Sequence, residues 1–283
     1  MEKNNAPLRV EGLIKRYPSF TLDNLNFSLT PGAITGLIGR NGAGKTTTLN
    51  AVLSFIRPDA GTVRFFGIDM RDHADEVKAR LGFVSAGMTY YTRKKLRLIA
   101  NVTRSFYPQW DESAYQSYMR RFGLEENKTP AQLSNGMKIK FALALALSHR
   151  AELLILDEPT SGLDPVSREE LTEIFLRLRD EGKTVLFSTH ITSDLEKCAD
   201  RILYIRRGVL AADMPLDEFA DAYRLRECAG AVPPDIQQKA LGRCRVRDGY
   251  TVLLSRDDAG ADDRKPTLEE IMTHMDREGG DEA

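Results

Sequence analysis

The stretch that decides the fold is "ITGLIGRNGAGKTTTLNAVL", residues 34–53. It begins in a short apolar run, "AITGLIG", which predicts a buried strand over 33–39, and continues through a loop rich in glycine. After the loop, apolar residues recur at the spacing of one helix face; they are Leu49, Val52, Leu53 and Ile56. A strand, a glycine loop and a helix in this order predict an α/β protein with a ligand site at the loop.

Residues 39–46, "GRNGAGKT", match the phosphate-binding pattern G-x-x-x-x-G-K-[ST] in full. The glycines allow successive backbone N–H groups, over Asn41, Gly42 and Gly44, to curl around phosphate oxygens without Cβ clashes. Lys45 supplies a cation for the β- and γ-phosphates, and Thr46 supplies a hydroxyl ligand for Mg²⁺. A plain glycine turn is the alternative, but it does not account for the Lys-Thr pair.

An acidic motif narrows the choice among kinases, GTPases and transport ATPases, which all use such a loop. The run "ELLILD", residues 152–157, is apolar on both faces, as a central parallel strand must be. It delivers Asp157 at its C-terminal end, where α/β sheets place their ligands, so Asp157 can hold Mg²⁺ or its water. Glu158, one residue on, is placed to polarise an attacking water. Two solvated loop charges remain the alternative.

The turn "LSNGM", residues 133–137, contains Asn135 and Gly136, which are poor first residues for a helix unless the backbone must approach something closely. Together with "LLILDEPTSGLD" and with His190 after the predicted strand "TVLFST", it gives the chain a specific resemblance. Over residues 8 to about 220 the sequence resembles the nucleotide-binding subunit of an ABC transporter.

This resemblance implies that two chains dimerise head to tail and that the turn caps the γ-phosphate of ATP held by the other chain. Ser134 and Gly136 match the hydroxyl and backbone N–H donors of that cap. The usual family sequence LSGGQ is altered here at Asn135 and Met137. An ordinary helix cap, with no role toward nucleotide, is the alternative.

The resemblance also implies roles for four further residues. Tyr17 falls where an aromatic ring stacks on adenine, although a single Tyr is more often a core residue. Thr47 matches an α-phosphate contact. Asp164 matches the loop that links the two active sites across the dimer, and it also reads as a helix cap before Pro165. His190 matches the histidine that touches the γ-phosphate and holds Glu158 and the water in line.

One position departs from the family. A glutamine, sometimes a glutamate, normally ends the strand that corresponds to "LGFV", and it contacts Mg²⁺ there. This chain has Ala86 at that position, and the next glutamine is Gln109. Ligation of the metal from this loop is therefore not expected; we expect a water, or less readily Ser85, to replace the missing ligand.

The fold class that follows is α/β: a P-loop NTPase core of the ABC ATPase type with an antiparallel β subdomain, a helical insertion and a small extension. We expect an ABC ATPase domain over 1–220, with its helical subdomain at about 86–150. Helical patterns run at 94–107 and 111–123. A C-terminal α+β extension of unassigned role is expected over 221–283, with a strand at 250–255 and a helix at 267–275.

Composition limits the partners. Forty basic and forty-one acidic residues leave a net charge of −1, so no general attraction to nucleic acid is expected. The three cysteines lack a C-x-x-C pair and predict reduced thiols in a cytosolic protein. No apolar run is long enough to cross a bilayer, and no secretory signal is evident. We expect a chain soluble on its own and peripheral to the cytoplasmic face of the cell membrane, where a separate transmembrane permease subunit binds it.

The segment at 86–130 is where the family receives that membrane subunit. It combines aromatic and basic side chains, which suit an interface; they are Tyr90, Tyr91, Phe106, Tyr107 and Trp110 beside Arg93, Lys94, Lys95 and Arg97. A core cluster with a solvated basic face is the alternative. The string "FYPQWD" and the altered signature resemble bacterial exporters of peptides and antibiotics of the bacitracin type.

The predicted function is therefore ATP binding and hydrolysis, with Mg²⁺, in a homodimer or heterodimer of ATPase subunits that drives export. The other function considered is a soluble ABC ATPase acting on DNA or ribosomes. The DNA-repair type needs a long heptad insertion and the translation type needs two phosphate loops in one chain; neither is present.

Overall fold

The computed structural model describes residues 6–85 and 91–277. Its strands are β1 (Arg9–Tyr17), β2 (Phe20–Ser28), β3 (Ile34–Ile38), β4 (Ala60–Phe65), β5 (Ile68–Asp69), β6 (Leu81–Ser85), β7 (Leu153–Asp157), β8 (Thr184–Thr189), β9 (Arg201–Arg206), β10 (Val209–Pro215), β11 (Tyr223–Ala229), β12 (Gly242–Val246) and β13 (Gly249–Ser255). Its α-helices are α1 (Lys45–Val52), α2 (Ala74–Arg80), α3 (Leu96–Arg104), α4 (Glu112–Arg121), α5 (Asn135–Ser148), α6 (Pro165–Asp180), α7 (Thr192–Cys198), α8 (Leu216–Asp221), α9 (Pro234–Lys239) and α10 (Leu268–Arg277).

A six-stranded sheet forms the centre, in the order β10-β9-β3-β8-β7-β6. The strands from β9 to β6 are parallel, and β10 pairs with β9 in the antiparallel sense. Every residue of β3 and β8 is buried, which confirms the two strands predicted from apolar runs. Helices lie against this sheet, so apolar side chains can pack on both of its faces.

The order of these strands brings three loops together. Because β3, β8 and β7 are parallel neighbours, the loops that follow them leave the same edge of the sheet. Ile38 pairs with Thr189, and Asp157 pairs with Ser188. The glycine loop, the acidic motif and His190 therefore meet at this edge.

A second sheet, β2-β1-β4-β5, is antiparallel, as the predicted β subdomain requires. Leu25, Phe27 and Leu29 are buried at alternate positions, as their spacing predicts. They share a core cluster with Leu37 of β3 and Leu49 of α1. This sheet is thus packed against the helix that carries the glycine loop.

The first helix is shorter than its apolar pattern predicted. It ends at Val52, and Ser54 adopts a left-handed conformation with φ of 59°. A turn there, with Ser54 N donating to Ala51 O at 3.2 Å, ends the helix before Ile56, which packs against the same core cluster as Leu49. In the predicted helical segment, α3 and α4 form as expected but are also shorter than their patterns.

The C-terminal region forms a third sheet in the order β11-β13-β12, with α10 packed on β12 and β13. The sequence predicted β13 and α10 but neither of the flanking strands. Leu225, Leu253 and Ile271 belong to the same core cluster as Phe187 of β8. Within the described ranges, no helix is both long enough and apolar enough to span a membrane.

Candidate functional site

The glycine-rich loop joins the end of β3 to Lys45, the first residue of α1. Gly44, just before the helix, has a φ of 116°, a conformation that side chains rarely adopt. A Cβ added there would lie 2.6 Å from Leu22 Cδ2 and 2.8 Å from Phe20 Cζ. The loop therefore requires glycine at this position, and Phe20 lies directly against it.

Lys45 lies inside the loop, with its side chain only 5% exposed. Its Nζ donates hydrogen bonds to the carbonyl oxygens of Gly39 at 2.7 Å and of Arg40 at 3.4 Å. The same nitrogen lies 3.5 Å from Glu158 Oε1. The ammonium group thus joins the loop to the acidic motif, where a lysine of this sequence pattern can reach phosphate oxygens.

Asp157, the last residue of β7, faces the start of α1. Thr46 Oγ1 lies 3.5 Å from Asp157 Oδ1, and Ser188 Oγ of β8 donates to the same carboxylate oxygen at 2.6 Å. A hydroxyl and a carboxylate are hard oxygen donors of the kind that Mg²⁺ prefers, and Mg²⁺ commonly binds one or two protein oxygens together with phosphate and water. Among the described residues no three His, Cys, Asp or Glu side chains gather as a metal site. Thr46 and Asp157 therefore fit a Mg²⁺ ion whose remaining ligands come from nucleotide and water.

Glu158 and His190 are in direct contact. His190 Nδ1 lies 2.7 Å from Glu158 Oε2, and since an ionised carboxylate only accepts, the ring nitrogen donates. Glu158 has a φ of 51°, a left-handed conformation that costs about 1–3 kcal/mol in a non-glycine residue. Its N–H is held by Ser188, through the carbonyl oxygen at 3.1 Å and Oγ at 3.0 Å. The neighbouring strand thus fixes a strained backbone that turns the carboxylate toward Lys45 and His190.

Ser188 is a residue that the sequence interpretation missed. It is fully buried in β8 and contacts both acidic residues, Asp157 through its side chain and Glu158 through the backbone N–H. The available signal was its place, a serine near the C-terminal end of a buried strand and two residues before His190. Phe20 was also missed, because a ring at the start of a strand reads as core.

A cavity of about 590 Å³ lies over the glycine loop. Its lining residues are Ser19, Phe20, Arg40, Asn41, Gly42, Gly44, Lys45, Thr46, Thr47, Glu158, Ser161 and His190. Tyr17 is not among them; it ends β1, is partly exposed and pairs with Phe20 across the hairpin. A larger cavity of about 970 Å³ lies where β7 and β8 begin, and it contains none of the predicted site residues.

Ser134 and Gly136 lie at the start of α5, and neither lines the cavity over the glycine loop. Ser134 is the N-cap, and its Oγ accepts a hydrogen bond from Met137 N at 3.2 Å. A Cβ added at Gly136 would lie 3.4 Å from Ser167, which is close to ordinary contact. The fold of its own chain therefore does not demand glycine at this position.

Asp164 is the N-cap of α6, as predicted, and Pro165 is the first helical residue. Its carboxylate accepts hydrogen bonds from Ser167 Oγ at 2.6 Å and from the N–H groups of Val166 and Ser167. These bonds, that of the Ser167 hydroxyl first, hold the pKa of Asp164 below its ordinary value. Through Ser167 this cap also lies next to Gly136.

Two predictions fall on residues outside the described ranges, the replacement of a metal ligand at Ala86 and the part of Tyr90 in the aromatic cluster. The string "FYPQWD" is described. Tyr107 stacks on His149 with a ring separation of 3.9 Å, and Asp111 N donates to Ser148 O at 2.7 Å. The string thus attaches the helical segment to the C-terminal end of α5.

The family described as "ABC transporter" matches residues 22–161. YtrB of Bacillus subtilis strain 168, an ABC transporter ATP-binding protein, is 30% identical over 88% of this chain and 86% of its own length. The bacitracin transport ATP-binding protein BcrA of Bacillus licheniformis is 34% identical over 74% of this chain and 70% of its own. The Nod factor export ATP-binding protein I of Burkholderia orbicola strain AU 1054 is 35% identical over 72% and 69%.

Solved structures agree with these matches. An ATP-binding subunit of an ABC transporter has a TM-score of 0.68 at 27% identity, over 75% of this chain and 90% of that one. A dimeric ATP-binding cassette bound to ADP and Pi has a TM-score of 0.63 at 23% identity, over 74% and 98%, a likeness of fold. The predicted α/β fold with its antiparallel sheet is confirmed.

Proposed function

Because the chain belongs to the ABC transporter family as an ATP-binding, ATP-hydrolysing subunit, we propose that it works as a head-to-tail dimer that drives a separate membrane subunit. The dimer consists of two copies of this chain or of this chain and a related one. Each ATP binds to the glycine loop of one subunit and is capped by the turn at 133–137 of the other.

The observation that carries this proposal is the separation of the turn from the nucleotide cavity. Ser134 and Gly136 start a 14-residue helix, whose N-terminus favours anions. Neither residue lines the cavity of its own chain, and the packing around Gly136 has room for a Cβ. An anion-binding turn built with a glycine that its own chain does not need is consistent with a ligand held by a second subunit.

Within one subunit the loop residues have separate roles in this proposal. Backbone N–H groups from Asn41 to Gly44 and the Lys45 ammonium bind the β- and γ-phosphates, and Thr47 contacts the α-phosphate. Adenine stacks on Tyr17, with Phe20 beside it at the cavity wall. Mg²⁺, held by Thr46 and Asp157, supplies positive charge to the phosphates when it is bound.

Glu158 then acts as the general base toward the attacking water, and His190 keeps its carboxylate in a fixed orientation. The hydrogen bond between them, 2.7 Å long, supports this arrangement. Asp164 lies beside the turn of its own chain, at Ser167, and we propose that it links the two sites of the dimer.

The membrane subunit is proposed to dock on the outer face of α3. Leu98 and Val102, one helical turn apart, are about half exposed, and Tyr91 and Phe106 are about three-quarters exposed. Two exposed apolar side chains on one face of α3, with exposed aromatic residues just before and after the helix in sequence, indicate an interaction surface. Val102→Asp should reduce co-purification with a membrane subunit, whereas the same change at Val246, a similarly exposed valine of β12, should not.

Export of a peptide or antibiotic is the proposed direction and substrate class. Two of the relatives named above are ATP-binding proteins of bacitracin transport and of Nod factor export, and all three are transporter subunits by name. They favour a transporter over a soluble ATPase acting on DNA or ribosomes. The class of transported substrate is inferred from these relatives alone. A test is whether cells that express this chain with its membrane subunit gain resistance to bacitracin-type peptides, and whether Lys45→Ala removes that gain.

The dimer is tested with Glu158→Gln, which keeps the shape of the site but removes the base. With ATP this variant should accumulate as a dimer in light scattering, because hydrolysis slows by about 10²–10⁴. Adding Ser134→Arg should abolish the dimer while ATP binding to the monomer persists. Ser113→Arg, the same change in the first turn of α4, is the control. A dimer that survives Ser134→Arg would contradict the proposed cap.

A further inference from the structure

The C-terminal helix α10 lies beside the catalytic loops. A cavity of about 410 Å³ separates it from them, with Arg40, Asn41, His190 and Thr192 on one side. On the other side are residues of α10, from Glu269 to Arg277. This cavity shares Arg40, Asn41 and His190 with the cavity over the glycine loop. The C-terminal extension is therefore a wall of the space next to the nucleotide site.

The N-terminal end of α10 is tied to α7. The N–H of Leu268, the first residue of α10, donates to Glu196 Oε1 of α7 at 2.6 Å. Helix α7 begins at Thr192, two residues after His190. A displacement of α7 would be transmitted to His190, because only Ile191 lies between them.

The C-terminal end of α10 is tied to β9. Asp276 Oδ1 accepts a hydrogen bond from the Tyr204 hydroxyl at 3.2 Å and lies 3.5 Å from Arg206 Nε. The Asp276 side chain is 10% exposed, so this contact is largely shielded from solvent. Strand β9 pairs with β3, which leads into the glycine loop. Both ends of the helix are thus attached to elements that carry the site.

Apolar packing joins the two ends. Leu268, Ile271 and Met272 are buried in the cluster that contains Leu195 of α7 and Tyr204 of β9. These contacts hold one face of α10 against the core, while Glu269, Thr273 and Arg277 line the cavity. Helix α10 therefore connects α7 with β9 through hydrogen bonds at its two ends and apolar contacts between them.

We propose that α10 positions His190, and that Glu196 and Asp276 are the positioning residues through which the C-terminal extension sets the rate of ATP hydrolysis. The hydrogen bond from His190 to Glu158 tolerates little displacement, since such bonds weaken steeply with misalignment. By fixing α7, the extension keeps this bond formed. The inference rests on the proposed role of His190.

The test uses the full chain and single-site variants in an ATPase assay. Glu196→Ala removes the acceptor for Leu268 N–H and should lower kcat three- to tenfold, with KM for ATP within twofold of wild type. Glu196→Gln keeps an acceptor oxygen and should restore kcat. Lys197→Ala, which removes an exposed ion pair between α7 and Glu169 of α6, is the matched control and should leave kcat within 1.5-fold.

A double-mutant cycle separates positioning from general stability. In a His190→Ala background, Glu196→Ala should have no further effect on kcat, because its effect acts through His190. A further drop there, or an equal loss in Glu196→Gln, would overturn the proposal. Tyr204→Phe removes the hydroxyl that donates to Asp276 at the other end of α10, and it should also lower kcat. If His190→Ala leaves hydrolysis unchanged, the proposed catalytic role itself fails; if it slows hydrolysis but Glu196→Ala and Tyr204→Phe do not, only the positioning role fails.

Discussion

Ser188 holds both acidic residues of the site with one hydroxyl. Its Oγ donates to Asp157 Oδ1 at 2.6 Å and accepts from Glu158 N at 3.0 Å, and the residue is fully buried. In Ser188→Ala the carboxylate of Asp157 loses a hydrogen bond, and the left-handed backbone of Glu158 keeps only one of its two acceptors. We expect both stability and hydrolysis to suffer.

The size of the effect follows from these contacts. A hydrogen bond to a charged group contributes about 1.5–3 kcal/mol. The bond from Glu158 N adds less than a full neutral bond, because the Ser188 carbonyl still accepts at 3.1 Å. A total of about 2–3 kcal/mol lowers Tm by roughly 4–12 °C for a chain of this size class. Misplaced carboxylates should in addition weaken stabilisation of the transition state relative to the ground state; a loss of about 1.4–2.7 kcal/mol there lowers kcat by about 10–100-fold.

The assay is ATP hydrolysis at saturating MgATP, with Tm from calorimetry. KM should rise less than threefold, since Lys45 and the loop are unchanged. Thr35→Val is the matched control, because the buried Thr35 hydroxyl on β3 has no hydrogen-bond partner within the described chain. That variant should keep Tm and kcat. A Ser188→Ala enzyme with kcat within threefold of wild type would refute the reasoning.

Three further predictions follow from single contacts. Gly136→Ala should leave the Tm of the isolated chain within about 1 °C, because the added Cβ lies 3.4 Å from its nearest neighbour, yet it should weaken the ATP-bound dimer of the Glu158→Gln variant, as measured by light scattering. Lys45→Ala should lose tight ATP binding in calorimetry, since each hydrogen bond to a charged group contributes about 1.5–3 kcal/mol; unchanged affinity would remove the phosphate-loop assignment. Burial lowers the pKa of His149 below its usual value, so the unfolded chain binds the proton more readily and stability should be lost as pH falls below about 6.5. His149→Gln, which can still donate to Ala79 O, should flatten that loss of Tm between pH 7 and 5.5; an unchanged slope would contradict the assignment.

Much of the fold was predictable because its signals are local. The short apolar runs that form β3, β7 and β8 are typical of buried parallel strands, and the phosphate-binding pattern is typical of a loop between a strand and a helix. The meeting of Lys45, Asp157 and Glu158 then followed from parallel strand ends sharing one edge. The contact between His190 and Glu158 needed the resemblance, because a single histidine after a strand has no intrinsic signal.

What was missed depends on tertiary contacts. Helix α1 ends early because Ser54 adopts a left-handed conformation, which serine in a sequence does not predict. Strands β11 and β12 are short and mix charged with apolar residues, and they form because each pairs with β13, which lies between them in the sheet. Ser188 looks like an ordinary strand residue until β7 brings the acidic pair beside it. In each case the deciding neighbour lies far away in sequence.

The position of Ser134, outside the nucleotide cavity of its own chain, also gives a reason why hydrolysis would require a second subunit. Lys45, Thr46, Asp157, Glu158 and His190 come from three adjacent strand ends, so one chain assembles its own phosphate-binding and acidic groups without help. Within one chain, Lys45 Nζ lies 3.5 Å from Glu158 Oε1, so the two opposite charges partly neutralise each other. In the proposed function, the phosphates of ATP compete with this carboxylate for the Lys45 ammonium, and Glu158 would then be able to act on the water. If the γ-phosphate is then fixed only by a second subunit's turn, hydrolysis becomes conditional on closure of the dimer. A membrane subunit that controls closure of the dimer would thereby control when ATP is hydrolysed.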